Sequence, residues 1–188
     1  IVSGVDIDGD GMTEIYAVNN NWGDSDYEVI PRMYKYEWNG MYWEEVWMTV
    51  LASVPKQNTW PPLEYADWDG DGKGEIIWGP INNFDTDPNP ARIVVYETPG
   101  DGSDVMGIDN GDGTYAPNAA YSVLADGSEN VNMRPFSTYL GDVDNDGTVE
   151  MVFSDRASHM FFGIISVDDI PDAGDGSETW TLELSGLS

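Results

Sequence analysis

Short apolar runs alternate with polar, glycine-rich stretches along the chain. Runs of about four to nine residues, rich in Val, Ile, Tyr and Trp, are separated by Gly, Asn, Asp and Pro, a pattern typical of β-strands. One of these runs, 32–36, alternates apolar and polar residues, which favours a strand with one face in a core. We find no convincing amphipathic helical pattern. The sequence therefore predicts an all-β protein.

The predicted strands recur in three units. The segments GVDIDGDGMTEIYAV, YADWDGDGKGEIIWG and LGDVDNDGTVEMVFS align without gaps, and their first loop aspartates, Asp6, Asp67 and Asp142, are 61 and 75 residues apart. In each unit one strand precedes the aspartate-rich loop and three follow it. The predicted strands are Ile1–Val5, Ile15–Val18, Arg32–Tyr36 and Tyr42–Val50; Leu63–Ala66, Ile76–Trp78, Arg92–Tyr96 and Ala119–Leu124; Phe136–Leu140, Met151–Phe153, Phe161–Val167 and Thr179–Leu184.

Four antiparallel strands in each unit, repeated at this spacing, fit the blade of a β-propeller. We expect residues 1–188 to form a single propeller segment, with repeats at about 1–51, 62–124 and 136–188. The segment 99–117 is interpreted as an insertion between the last two strands of the second repeat. Because it is rich in Gly and Asp, we expect a surface loop there, and we expect deletion of 102–113 to leave the fold intact.

Each unit carries an acidic loop: loop 1 (6–14), loop 2 (67–75) and loop 3 (142–150). Asp occupies positions 1, 3 and 5, Gly position 6 and Glu position 9, while position 7 offers a backbone carbonyl. Such a set of hard oxygen ligands suits Ca²⁺ better than Mg²⁺, so we predict about three bound Ca²⁺ ions. The predicted ligands are Asp6, Asp8, Asp10, Met12 and Glu14; Asp67, Asp69, Asp71, Lys73 and Glu75; Asp142, Asp144, Asp146, Thr148 and Glu150.

Two alternatives compete with this interpretation of the loops. An EF-hand loop begins in the same way, but it needs a Glu at position 12 and a helix on each side; position 12 is Ala17, Trp78 or Phe153 here, and the flanks are predicted strands. A hairpin turn without metal is the second alternative, and three copies with identical acid positions disfavour it. The segment 109–113 resembles a weaker cation site, although a plain turn is the favoured interpretation.

Composition and charge exclude several kinds of function. With 35 Asp and Glu against 7 Lys and Arg, the net charge is −28, which disfavours nucleic acids and anionic membrane surfaces as partners. No apolar run is long enough to insert into a membrane, and the absence of Cys removes thiol chemistry. His159 is the only histidine, and no nucleophile motif accompanies it. We therefore expect no enzyme activity and identify no catalytic residue.

The acidic loops and the strands around them closely resemble the FG-GAP repeat, also called the VCBS or integrin-α-type propeller repeat. The resemblance implies a secreted or cell-surface calcium-binding propeller that serves as a binding or structural module. It also implies that the loops opposite the metal loops form a ligand face. There Trp22, Trp60 and Phe84 are predicted as an aromatic platform for sugar rings or peptide side chains; the alternative is that these rings pack between blades.

We expect a non-catalytic extracellular calcium-binding module for adhesion or structural scaffolding, with a protein or glycan ligand. Three blades leave two open ends, because closed propellers have about four to eight. Either a longer polypeptide supplies further blades, or copies of this chain join as a homo-oligomer or a filament. Two further hypotheses follow: a subunit of a calcium-stabilised homopolymeric surface filament, and an accessory domain of a secreted polysaccharide-acting enzyme.

Overall fold

Three separate meanders of four strands make up most of the computed structural model. The structure describes residues 1–19, 31–51, 62–80, 91–121, 135–155 and 161–186, and these ranges contain fourteen strands and no helix. Sheet 1 consists of β1 (Val2–Val5), β2 (Glu14–Val18), β3 (Arg32–Trp38) and β4 (Trp43–Val50). These strands lie in chain order and pair antiparallel.

Sheets 2 and 3 repeat this arrangement. Sheet 2 consists of β5 (Leu63–Ala66), β6 (Glu75–Trp78), β7 (Ile93–Glu97) and β10 (Ala119–Tyr121), and a separate hairpin of β8 (Ile108–Asp109) and β9 (Tyr115–Ala116) lies between its last two strands in sequence. Sheet 3 consists of β11 (Pro135–Gly141), β12 (Glu150–Asp155), β13 (Phe161–Val167) and β14 (Trp180–Gly186). All pairs are antiparallel. The predicted fold class, all-β with three four-stranded blades of the propeller type, is confirmed.

The sheets pack face to face through two hydrophobic cores. Tyr16, Met33 and Trp47 of sheet 1 lie in one core with Ile76 and Tyr96 of sheet 2. The second core joins the opposite side of sheet 2 to sheet 3. Its members include Ile77, Val95 and Ala119 from sheet 2, and Met151, Phe153 and Ile165 from sheet 3.

The middle sheet is therefore buried on both sides. Side chains alternate between the two faces of a strand, so Ile76 contacts the first core and Ile77 the second. This explains why the three residues that follow Glu75 in β6 are all apolar, and why every residue of the strand is buried. A strand with one solvent-facing side would alternate apolar and polar residues.

The prediction of a surface loop at 99–117 is wrong. We expected a surface loop, but Met106 is only 1 % exposed and belongs to the first core. The Tyr115 ring lies 5.6 Å from that of Trp47, and the Thr49 hydroxyl donates a hydrogen bond of 2.9 Å to the Tyr115 carbonyl. Deletion of 102–113 would remove Met106, so we no longer expect it to leave the fold intact.

Candidate metal sites

Loop 1 connects β1 to β2 and draws its acidic side chains together. Carboxylate oxygens of Asp6, Asp8, Asp10 and Glu14 all lie within 4.8 Å of one another. Local hydrogen bonds hold this arrangement, because backbone N–H groups within the loop donate to these side chains. The bonds are Asp10 N to Asp8 Oδ1 (3.1 Å), Gly11 N to Asp6 Oδ2 (3.1 Å), Met12 N to Asp10 Oδ1 (2.6 Å) and Ile7 N to Glu14 Oε2 (2.8 Å).

Loop 2 has the same construction between β5 and β6. Asp67, Asp69, Asp71 and Glu75 bring their oxygens within the same 4.8 Å. The corresponding N–H groups, of Asp71, Gly72, Lys73 and Trp68, donate to these carboxylates. Gly72 at position 6 has a φ of +92°, a backbone conformation that L side chains rarely adopt. This glycine lets the loop turn sharply enough to return to Glu75.

Loop 3, between β11 and β12, brings together Asp142, Asp144 and Glu150. The fourth carboxylate, of Asp146, accepts a hydrogen bond of 2.8 Å from the Thr148 N–H. Asn145, with a φ of +65°, takes the place of Gly9 and Gly70; asparagine is one of the few other residues that tolerate this conformation. Loop 3 is therefore a variant of the same design, with its aspartates exposed and only the terminal glutamate buried.

Each loop has a buried glutamate at position 9, and in loop 1 Asp8 is buried as well. Glu14 and Glu75 are 0 % exposed and Glu150 is 7 % exposed. In the described part of the chain, Oε1 of Glu14 and Oε1 of Glu75 are buried without a hydrogen-bond partner, while Oε2 of each accepts a backbone bond. Burial raises the pKa of Glu14 to about 7 and that of Glu75 to about 9. A buried carboxylate oxygen without a partner is costly, and a cation at the cluster would supply the missing contact.

The donor set fits a hard cation. The three clusters contain carboxylate oxygens alone, without histidine or cysteine, and such ligands suit Ca²⁺, Mg²⁺ or Mn²⁺ rather than zinc or copper. At position 7, Met12 and Thr148 are exposed, and the Lys73 side chain pairs with Asp71 of its own loop and with two carboxylates outside it. The ligand role of the carbonyls at this position stays a prediction.

A buried lysine beside loop 1 was missed by the sequence analysis. Lys35 on β3 is 0 % exposed, and its Nζ lies 2.6 Å from Asp8, 2.8 Å from Glu37 and 2.9 Å from Asp104. Burial lowers the pKa of Lys35, but hydrogen bonds to the three carboxylates outweigh it, so the pKa is above its usual value. Asp104 belongs to the insertion of the second repeat, and Lys35 therefore links loop 1 to the neighbouring repeat.

A second lysine makes the equivalent link from loop 2. Lys73 Nζ lies 3.0 Å from Asp71 and 3.3 Å from Glu97, and it also pairs with Asp172, between β13 and β14. Glu97 occupies the strand position of Glu37, since Glu75 pairs with Glu97 as Glu14 pairs with Glu37. Burial raises the pKa of Glu97 to about 8. Each of the first two loops is thus tied to the next repeat through a lysine and an aspartate.

The remaining predicted site residues have different outcomes. The aromatic platform of Trp22, Trp60 and Phe84 lies outside the described residues, as does His159. The 109–113 segment forms the turn of the β8–β9 hairpin, in which Gly111 N donates to Asp109 Oδ1 at 2.7 Å and Asn110 N to the Thr114 carbonyl at 3.0 Å. The segment is therefore a hairpin turn, and the preference for a turn without a cation stays a prediction.

The FG-GAP-like repeat family model matches residues 6–78, from the start of loop 1 to the end of β6. The recognition made from the sequence is thereby confirmed over these residues. No curated protein and no solved structure matches the chain. Within the described ranges, the structure has no helix with the length and apolar character needed to span a membrane.

Proposed function

We propose that this chain, which carries FG-GAP-like repeat sequence over residues 6–78, is a calcium-binding propeller-type module that acts outside the cell in adhesion or as a structural scaffold. The observation that carries the proposal is the geometry of loops 1 and 2. In each of them four carboxylates converge within 4.8 Å, and one buried glutamate oxygen has no partner among the described residues. Lysines pair with Asp8 and Asp71 at the edge of these clusters, and a metal ion is the group that would contact the glutamate oxygens left without a partner.

Calcium is the cation that best suits the loops. It accepts six to eight oxygen ligands in flexible geometry, whereas Mg²⁺ demands a near-ideal octahedron and keeps several waters. The aspartates at positions 1, 3 and 5 and the glutamate at position 9 would hold the ion. A bound Ca²⁺ would neutralise carboxylates that otherwise repel one another in a partly buried site. The backbone N–H bonds to these side chains preorient them for that role.

The proposed location follows from the affinity expected of such sites. Extracellular calcium modules bind with dissociation constants of about 10⁻⁴ to 10⁻³ M, a concentration range that is met outside cells. FG-GAP repeats are also typically extracellular. For partners, a protein or a glycan is favoured, because a net charge of −28 repels nucleic acids and anionic membranes. A non-catalytic role is proposed on the family resemblance and on the sequence, which shows no catalytic motif.

Thermal unfolding tests the metal proposal. If Ca²⁺ is present at about 100 times the dissociation constant, each site adds about 2.7 kcal/mol to the free energy of unfolding. We expect the melting temperature to rise in millimolar Ca²⁺, to rise much less in Mg²⁺ and to fall in chelator. As a matched control, the double variant D101N/D112N, which changes exposed turn aspartates outside the loops, keeps the full calcium response. Equal melting temperatures in Ca²⁺ and in chelator would contradict the proposal.

A further inference from the structure

The ammonium groups of two lysines lie directly against the acidic loops. Lys35 Nζ is 2.6 Å from Oδ2 of Asp8, which occupies position 3 of loop 1. Lys73 Nζ is 3.0 Å from Oδ2 of Asp71, which occupies position 5 of loop 2. Each lysine is therefore paired with an oxygen of an aspartate that the calcium proposal assigns to a metal ion.

Both oxygens of each paired aspartate are engaged. Oδ1 of Asp8 accepts a hydrogen bond of 3.1 Å from the Asp10 N–H, while Oδ2 contacts the ammonium of Lys35. Oδ1 of Asp71 accepts a bond of 2.8 Å from the Lys73 N–H, while Oδ2 contacts the ammonium of the same lysine. A metal ion at either loop would share a carboxylate with an ammonium group. Two cations so close together repel each other, and most strongly where water is excluded.

Each lysine also has partners that do not belong to the loops. Lys35 contacts Glu37 at 2.8 Å and Asp104 at 2.9 Å, and Lys73 has an equivalent pair of carboxylates on its own strand neighbour and on the next repeat. A metal ion that neutralised the loop aspartate would leave these partners in place. The ammonium would therefore stay where it is, and its positive charge would remain beside the ion.

Loop 3 has a different residue at each of the two lysine positions. Thr148 occupies position 7, where loop 2 has Lys73. Ile164 occupies the strand position of Lys35, counted from the glutamates that open β2 and β12. The Thr148 N–H still donates to Asp146 Oδ1 at 2.8 Å, which is the bond that loop 2 makes at the same place. The loop backbone therefore forms without the ammonium group, and the lysines have another role.

We propose that Lys35 and Lys73 are tethered counter-ions that compete with calcium at loops 1 and 2. Without metal, each ammonium supplies part of the positive charge that the converging carboxylates need. With metal, the same ammonium weakens the binding of the ion at its own loop. The proposal rests on the calcium sites proposed above and adds the residues that set their affinity. The stabilisation by a lysine and that by calcium are then not additive, because both neutralise the same carboxylates.

Calcium titration of lysine variants tests the competition at loop 2. The substitutions D6N/D10N and D144N/D146N remove two acids from each of the other loops, so that loop 2 is the site that titrates. In this background we expect K73M to bind Ca²⁺ about fivefold more tightly, because the ammonium that repels the ion across a partly screened distance is gone. K73R, which keeps the charge, is expected to stay within about twofold of the background protein.

Three further variants complete the titration. S154D changes the net charge by the same amount as K73M, at an exposed position of β12, and is expected to alter the affinity less than about twofold. T148K places a lysine at position 7 of loop 3 and is expected to weaken calcium binding there about threefold, once the acids of loops 1 and 2 are removed in the same way. K35M is expected to tighten loop 1 by more than about tenfold, because the Lys35 side chain is 0 % exposed whereas that of Lys73 is 23 % exposed.

Unfolding supplies a second readout, which separates competition from a purely structural role. Competition makes the stability loss of K73M smaller in saturating Ca²⁺ than in chelator, by the same factor as the gain in calcium affinity. A purely structural lysine gives equal losses. A dissociation constant of K73M that is unchanged or larger overturns this proposal and leaves the calcium sites standing. Absence of calcium binding to the parent, to K35M and to K73M overturns the proposed calcium function, and this proposal with it.

Discussion

Loops 2 and 3 have the same acid positions and very different surroundings. Loop 2 is tied to sheet 3 by the Trp68 indole, by the Ile170 N–H, which donates to Asp69 Oδ2 at 2.7 Å, and by the Lys73–Asp172 pair. In loop 3 the residue equivalent to Trp68 is Val143, which is 40 % exposed. Bonds within the loop arrange the carboxylates of both loops, but loop 3 is more exposed, and its cluster does not include Asp146, the counterpart of Asp71.

The loop sequence determines how the carboxylates are oriented, and the neighbouring sheet determines how deeply they are buried. Backbone N–H groups orient the aspartates in both loops, so the clusters form locally. A neighbouring sheet then decides how deeply the cluster is buried, and therefore how strongly a bound ion is coupled to the stability of the whole molecule. Glu75 of loop 2 is 0 % exposed, and burial raises its pKa to about 9. We expect metal at loop 2 to stabilise an interface, and metal at loop 3 to stabilise mainly its own turn.

The largest effect is expected where loop 1 meets the insertion. Lys35→Met removes the one cation among three carboxylates, two of which are less than 5 % exposed at the side chain. Loss of one partner from a buried charge cluster costs about 3–5 kcal/mol. Chemical denaturation in the absence of metal measures this loss. A Lys35→Met variant as stable as the parent would show that the ion pair does not hold the first two repeats together.

Truncation of the side chain at position 2 is expected to cost more stability in loop 2 than in loop 3. Trp68 is 1 % exposed, and its ring lies 5.6 Å from that of Trp180. Trp68→Ala is expected to cost about 3–5 kcal/mol, as core aromatic truncations do. Val143→Ala removes a half-exposed side chain and is expected to cost less than about 1 kcal/mol in the monomer. The loss of unfolding free energy is measured by urea unfolding of the monomeric chain. Equal losses for the two variants would show that contacts with the neighbouring sheet do not stabilise loop 2 more than loop 3.

A third pair of variants addresses the metal. D69N/D71N should lower the melting temperature in Ca²⁺ but not in chelator, with a loss of about 2.7 kcal/mol when Ca²⁺ is at 100 times the dissociation constant. D144N/D146N is expected to lower the melting temperature less, because the aspartates of loop 3 are exposed. If D69N/D71N loses as much stability in chelator as in Ca²⁺, these aspartates stabilise the loop through hydrogen bonds rather than through metal.

The smallest effect is expected at the second lysine. The Lys73 side chain is 23 % exposed and that of Asp172 is 74 % exposed, so solvent screens their attraction. Lys73→Met is expected to cost about 1 kcal/mol or less, in the range of exposed ion pairs. The loss should shrink further at high salt, because screening weakens exposed pairs. A salt-independent loss as large as that of Lys35→Met would contradict the difference in burial.

The parts that follow from local sequence were predictable. The strand pattern indicated three four-stranded sheets, and the aspartate spacing identified clusters whose hydrogen bonds join residues two to seven positions apart. Those interactions depend on the order of neighbouring residues, which a sequence pattern records directly.

The parts that depend on distant contacts were not predictable. Lys35 meets Asp104 across 69 residues, and the local sequence does not indicate its burial, because Lys35 shares its strand face with the charged Glu37 as well as with Met33. The Gly- and Asp-rich composition of 99–117 concealed the buried Met106, although a Met and a Tyr within a polar segment hinted at packing. Composition averages over a segment, whereas burial is decided by single side chains.

Calorimetric titration with Ca²⁺ tests whether the acidic loops are calcium sites, because it counts the ions that the chain binds and the loop variants show where they bind. We expect three ions per chain for the parent. We expect two for each of the variants D8N/D10N, D69N/D71N and D144N/D146N, and three for the control D101N/D112N. A parent chain that binds no Ca²⁺ at millimolar concentration, or loop variants that retain all three ions, would show that these carboxylates are not the calcium sites.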